Sequence, residues 1–459
     1  MSTYRSHAVT WHCQRRLEDR KWFRPFFTNL PSGVCALVLL ECPGEETEFQ
    51  ICVNVKDRDF HAMSPRREDV QGIRGWAVIL VVLFQFYPNY FPNGYIGVDM
   101  YFVVSGFIIA SLLKKNDVTK FCDVVQFFRA RLHRILPLYF VAIILISIAV
   151  SLGFPESYRA INYESARKAY FLAYNFNFQG VDRDEINLLG EDLFSHTWSI
   201  CVEVQVYALI SIIFFLQRKL FDNEILTFSC VLLLSLVFHL CMSEPLASFS
   251  SLSRMWQFSL GMLVFFKYSS KTEKPPDTAL KHVFPTVSGT SHGSSLTSRS
   301  MKEQPGILQN ACVFSPVLVA LLPIRFDVTE MRLCITVTTA LILYANYERK
   351  ANRVLEMYVP ERKNVPTIDV TKAVVITNDM IRHVGDISYV LYLAHLPLHS
   401  IVEFYSEYIS CPFPFGILVS FVLATISQRY VENVYRSLPQ NTKSLLSFVL
   451  FVMVVVWHF

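Results

Sequence analysis

The chain is expected to be an all-α polytopic membrane protein with about ten to eleven transmembrane helices. Three observations point there. Of 459 residues, 52% are hydrophobic and 17% charged, against roughly 25% charged in a soluble domain. Mean hydropathy is +0.34. The apolar residues fall into runs, and Lys and Arg gather between alternate runs. A soluble protein of this length needs more polar surface than this composition supplies. Disorder, collagen and disulfide scaffolds are excluded on the same grounds. No P-loop, Rossmann glycine pattern, HExxH or GxSxG points to a soluble catalytic domain, and neither a metal nor a nucleic-acid partner is expected.

The expected spans lie near 75–91, 98–113, 135–152, 197–216, 225–242, 254–267, 307–323, 331–346, 385–405, 413–427 and 444–458. Several are shorter than the roughly 20 residues a perpendicular helix needs, which broken helices tolerate. Charge placement orders them. Arg66, Arg67 and Arg74 precede the first span, and no Lys or Arg lies in 92–97. Lys114, Lys115, Lys120, Arg129, Arg131 and Arg134 mark the next connection as cytoplasmic. The 153–196 connection is acid-rich, and Arg218 and Lys219 follow the fourth span. Continued along the chain, this alternation predicts an integral multi-pass protein with a cytoplasmic N-terminus and an extracytoplasmic C-terminus. A plasma membrane or an endomembrane would suit it.

Residues 1–62 are polar and basic, and read as an N-terminal extension, an alternative start or a gene-model artefact. The membrane domain is expected over 66–436. A Ser-, Thr-, Pro-, Gly- and Lys-rich stretch at 270–306 reads as a disordered cytoplasmic linker. Residues 444–459 add one C-terminal span.

Ionisable and amide side chains inside spans are functional candidates. Arg74 and Gln85 are eleven residues apart, so about 20° apart around one helix and about 16 Å apart along it. Arg74 also suits a positive-inside anchor, and Gln85 an interhelical hydrogen bond. Asp99 opens the second span, where it can equally cap the helix. Ser105 and Gly106 are small enough to let helices pack closely. Arg131 and Arg134 share a helix face and suit a phosphate, or anchor the span. Glu203 stands about a turn and a half into the fourth span, a rare place for a carboxylate.

Six ordered blocks carry a resemblance. They are REDVQGIRGWAVILVVLFQF, NGYIGVDMYFVVSGFIIASLL, FFRARLHRILPLYF, HTWSICVEVQVY, GDISYVLYLAHLPL and RYVENVYR. The series resembles the acyltransferase type 3 family of membrane O-acyltransferases, with the wording of its nematode members. The resemblance implies transfer of an acyl group, often acetyl, from acyl-CoA to a hydroxyl of a carbohydrate or lipid. Arg74 matches the Arg of the family's first motif, and Gln85 stands where that motif has a catalytic His. The GVD–SGF motif falls on Gly97 to Phe107, with Asp99 and Ser105. The paired-arginine motif falls on Arg131 and Arg134. The WSxxxE motif falls on Trp198, Ser199 and Glu203.

The expected mechanism follows from both readings. Acyl-CoA, the co-substrate, enters from the cytoplasm, with Arg74, Arg131, Arg134 and Ser105 on its side. Its pantetheine arm delivers the thioester near Gln85. The acceptor hydroxyl arrives from the outer side, near Asp99 and Glu203, and a base takes its proton. Gln85 has no useful basicity. Glu203 or Asp99 acting as base, His196 reaching the site, and a catalytically impaired homologue that binds acyl-CoA or lipid all stay open. A transporter-like protein is the rival class.

Overall fold

The computed structural model of the chain describes residues 67–115, 120–178, 192–220, 223–272, 317–358, 378–409 and 411–458. The extension at 1–62 lies outside them, as do nearly all of the 270–306 linker and most of the segment near 307–323. Among the described residues the structure is helical and has no strand. The helices are α1 Glu68–Phe86, α2 Gly97–Lys115, α3 Phe121–Gly153, α4 Glu156–Tyr170, α5 Trp198–Leu220, α6 Glu224–Cys241, α7 Glu244–Phe249, α8 Ser251–Thr272, α9 Val328–Tyr358, α10 Asp379–Phe404, α11 Pro412–Ile426, α12 Asn433–Ser437 and α13 Gln440–His458. A π-helical turn, Ser427–Glu432, joins α11 to α12.

Local chemistry accounts for the boundaries. Glu68 and Asp69 occupy the first turn of α1, and Lys114 and Lys115 the last turn of α2, each complementing the helix dipole. The side chain of Asn223 caps α6 by accepting from the Leu226 amide at 3.0 Å, and Asn378 caps α10 by accepting from the Met380 amide at 3.0 Å. Leu172, just past α4, takes the left-handed conformation with φ 55°, an αL helix terminus. Helix α3 has 33 residues, about 50 Å of helix, and outruns the roughly 30 Å hydrocarbon core.

Among the described residues, seven stretches are long and apolar enough to cross a membrane: Glu68–Phe86, Gly94–Lys115, Phe121–Gly153, Ser195–Leu220, Glu224–Cys241, Val328–Ala345 and Pro412–Val431. Contacts between their ends give the bundle two ends. At one end lie the starts of α1, α3 and α10, with Lys114, Lys115, Arg218 and Lys219. There Arg382 of α10 pairs with Glu68 of α1 at 2.8 Å. At the opposite end the Asn93 amide donates to Ile324 O at 2.6 Å, and Tyr405 donates to Gly153 O at 2.6 Å. We call these the basic end and the far end.

Two glycine-bearing crossings set the middle of the bundle. Gly75 of α1 lies against the backbone of Ile381 in α10, and Gly385 of α10 lies against the backbone of Gln71 in α1. Gly106 of α2 lies against the backbone of Phe258 in α8, and Gly261 of α8 against Val103 O. A Cβ at any of these positions would strike backbone, so only glycine permits the approach. Phe86 of α1 packs edge-on against His399 of α10, with ring centroids 5.0 Å apart. Contacts of Gln71 with Gly385 and of Phe86 with His399 show that α1 and α10 run parallel.

Candidate active site

Helix α2 carries polar groups on two faces. Asp99 and Ser105 are six residues apart, which puts them about 120° apart around the helix. Asp99 therefore turns to α8. Its Oδ1 accepts from Arg254 Nη1 at 2.7 Å and from Gln257 Nε2 at 2.9 Å, and all three residues are buried. Arg254 Nε also donates to Ser248 O at 2.7 Å, and its guanidinium lies 5.8 Å from the Trp198 ring.

Ser105 turns instead to α5. Its hydroxyl donates to Glu203 Oε1 at 2.7 Å, and the Tyr207 hydroxyl donates to the same oxygen. Arg131 of α3 interacts electrostatically with Glu203, Tyr207 and Arg134. Helix register explains the meeting. Phe121 of α3 packs on Phe215 of α5, and the helices are antiparallel. Ten residues along one and twelve back along the other bring Arg131 level with Glu203. Arg134, one turn on, is exposed.

Arg74 joins this group through Tyr101, one turn before Ser105. The Tyr101 hydroxyl donates to Arg74 O at 3.1 Å, and the Arg74 guanidinium stands 6.0 Å from the Tyr101 ring. Arg74 Nη1 also donates to Gln71 Oε1 at 3.4 Å. The Tyr101 ring meets Tyr392 of α10 at 6.4 Å.

Towards the far end a second cluster begins at Tyr392. Its hydroxyl donates to His196 O at 3.0 Å, and Ser199 bonds the same hydroxyl at 2.6 Å. The His196 ring lies 5.9 Å from Tyr392 and 5.9 Å from His395, centroid to centroid. His196 is 4% exposed, and its ring nitrogens make only weak contacts, to the backbone of Leu193 and Leu393. His395 is 2% exposed, and its Nδ1 lies 2.6 Å from Tyr392 O.

The segment bearing His196 is held from outside the spans. Asp192 accepts from Ser165 Oγ at 2.5 Å, Tyr174 OH at 2.6 Å and the Phe194 amide at 2.8 Å, and Asn162 accepts from the Leu193 amide at 2.9 Å. Burial pushes the Asp192 carboxyl above its ordinary range, partly offset by the Ser165 and Tyr174 hydroxyls.

The structure thus brings together Arg74, Ser105, Arg131 and Glu203, and links them through Tyr101 and Tyr392 to His196. It separates Asp99 from Glu203, against the expectation that both face one acceptor site. The reason is the 120° between the two faces of α2. Gln85 lies on α1, partly buried, and makes no hydrogen bond to a described residue. Sequence reasoning missed Tyr101, Tyr207, Tyr392, His395, Arg254 and Gln257. One signal was present: Ser388, Tyr392, His395 and His399 recur at helical spacing along one face of α10. Among the described residues no group of three His, Cys, Asp or Glu is placed to hold a metal.

Residues 67–429 match the family model described as "Acyltransferase domain" (Acyl_transf_3). A curated relative from Komagataeibacter xylinus, BcsY, named as a membrane-bound transacylase, is 31% identical over 220 residues, 46% of this chain and 54% of its own length. The O-acetyltransferase OatA of Staphylococcus aureus is 29% identical over 170 residues, 36% of this chain and 28% of its own length. The chain therefore spans about half of the first relative and about a quarter of the second. Both are bacterial, and neither bears on the nematode wording. No solved structure matches.

Proposed function

Because the chain belongs to the acyltransferase family of that model, we propose that it moves an acyl group, acetyl in the first instance, from acyl-CoA to a hydroxyl of a carbohydrate or lipid acceptor. The donor enters at the basic end, which the distribution of Lys and Arg assigns to the cytoplasm. Arg134 at the surface and Arg131 deeper in form two steps of a phosphate path, with Arg74 beside it on α1. The single observation that carries the reading is the meeting of Arg131, Glu203, Tyr207 and Ser105 between three helices. A guanidinium is expensive to hold in a membrane bundle, and here it lies within electrostatic range of a carboxylate bonded by two hydroxyls. The acceptor comes from the far end, so the orientation implied is N-terminus cytoplasmic and C-terminus extracytoplasmic. We also infer, from the REDVQGIRG wording alone, a kinship with the family's nematode members.

The experiment is acetyl-CoA binding and free-thiol release by the purified full-length chain. Arg131→Ala is expected to weaken acetyl-CoA binding about tenfold or more, the loss of roughly 1.4 kcal/mol of charge-assisted contact. An unchanged affinity removes Arg131 from the donor path. Gln85 favours a second reading, a member that binds acyl-CoA without turnover, because an amide cannot accept the acceptor's proton. Binding without thiol release would select it. No binding at all would leave the transporter-like reading.

A further inference from the structure

We infer that His395 is the proton acceptor for the acceptor hydroxyl, with His196 holding that hydroxyl beside it. The inference rests on the proposed acyl transfer and assigns its missing base.

His395 Nδ1 faces the carbonyl oxygen of Tyr392 at 2.6 Å. A carbonyl has no proton to give, so Nδ1 donates and the lone pair belongs to Nε2. One hydrogen bond thus sets both the tautomer and the direction of the ring, which is how a basic imidazole is prepared. His196 supplies a second observation. It is buried, its carbonyl is held by Tyr392, and its ring is left with no more than weak contacts to the backbone of Leu193 and Leu393. Buried polar nitrogens are normally bonded, and an exception calls for an explanation. The ring centroids of His196 and His395 are 5.9 Å apart. One oxygen about 2.8 Å from a nitrogen of each ring fits that spacing.

Depth agrees with this placement. Gln71 meets Gly385 and Phe86 meets His399 across the parallel pair α1 and α10. In that register Gln85 lies level with about His399, and His395 lies one turn, about 5 Å, nearer the basic end. An imidazole on α10 therefore stands at the depth where the thioester is delivered along α1.

The step balances as follows. The acceptor O–H gives its proton to His395 Nε2 as its oxygen attacks the thioester carbonyl carbon. The C–O bond forms and the C–S bond breaks. The departing thiolate takes the proton from the imidazolium, leaving an ester, free CoA and neutral His395.

The test uses the purified full-length chain with acetyl-CoA as donor and water as acceptor, reading binding and thiol release separately. His395→Asn is expected to lower thiol release by about 10²–10⁴, with acetyl-CoA affinity within about twofold of the wild type. His196→Asn is expected to lower it about tenfold with the same affinity retained. Adding Gln85→His to His395→Asn is expected to restore part of the rate, since it returns an imidazole at nearly the same depth. Full thiol release by His395→Asn overturns the inference. So does a loss of thiol release matched by a loss of binding, which is what a structural histidine would give. A wild type that binds acetyl-CoA but releases no thiol overturns the inference and leaves donor binding standing. Absence of acetyl-CoA binding overturns the proposed function itself.

Discussion

Helix α2 carries a polar group on each of two faces, and their surroundings differ in kind. Asp99 meets Arg254 and Gln257, and each contact is short and direct. Charge is answered by charge inside the bundle. The other face opens a row of hydroxyls and rings, Ser105, Tyr101 and Tyr392, that ends at a histidine whose ring has only weak backbone contacts. A completed cluster holds helices together. An incomplete one has bonding capacity left for something that is not protein. Burial follows the same division, since Asp99 is fully buried and Ser105 and Tyr101 only partly so.

Four substitutions sharpen this contrast. The largest effect is expected from Asp99→Ala, which strands the Arg254 guanidinium and should cost about 3–5 kcal/mol. Glu203→Gln keeps the shape of its side chain and an oxygen that can accept from Ser105, and should cost less than about 1 kcal/mol while impairing thiol release. Thermal or denaturant unfolding in detergent measures both. Equal destabilisation by the two would erase the distinction between the faces. Next is Gly106→Val, which drives a side chain into the Phe258 backbone. It should cost about 1–3 kcal/mol by overpacking, and leave acetyl-CoA affinity per folded molecule unchanged. The smallest effect concerns Asp192. Its folded-state pKa is raised by burial, so the folded form binds the proton more readily than the unfolded form. Stability should fall as pH rises from the ordinary carboxylate range to the raised value, by no more than about 1.4 kcal/mol per pH unit. Asp192→Asn should flatten that slope, and unfolding measured from pH 3 upwards checks it.

Much of this was legible in the residues. Composition and charge alternation led to a helical membrane protein. The 11-residue spacing of Arg74 and Gln85 holds because α1 is unbroken through both. Glu203 was singled out as a carboxylate within an apolar run, and it lies at the centre of the polar group. The partition between Asp99 and Glu203 was not legible, because it depends on which neighbour each face of α2 meets. Arg254 was read as the edge of a span, and only packing shows that it is buried against Asp99. The α10 histidines were hidden differently. SYVLYLAHLPL is apolar enough to pass as an ordinary span, and its i, i+4, i+7 polar face means little until α1, α2 and α5 close over it.

The reciprocal crossing of Gly75 and Gly385 constrains how this molecule moves. Backbone lies on backbone in both directions, so α1 and α10 cannot slide along one another without collision. Pivoting about the contact remains open to them. Arg74 and Ser388 sit beside that pivot, and Gln85 and His399 lie at its far arms. A small rotation there displaces the far-end residues most and the basic-end residues least. Under the proposed function, the donor side would be the stationary part and the acceptor side the part with travel.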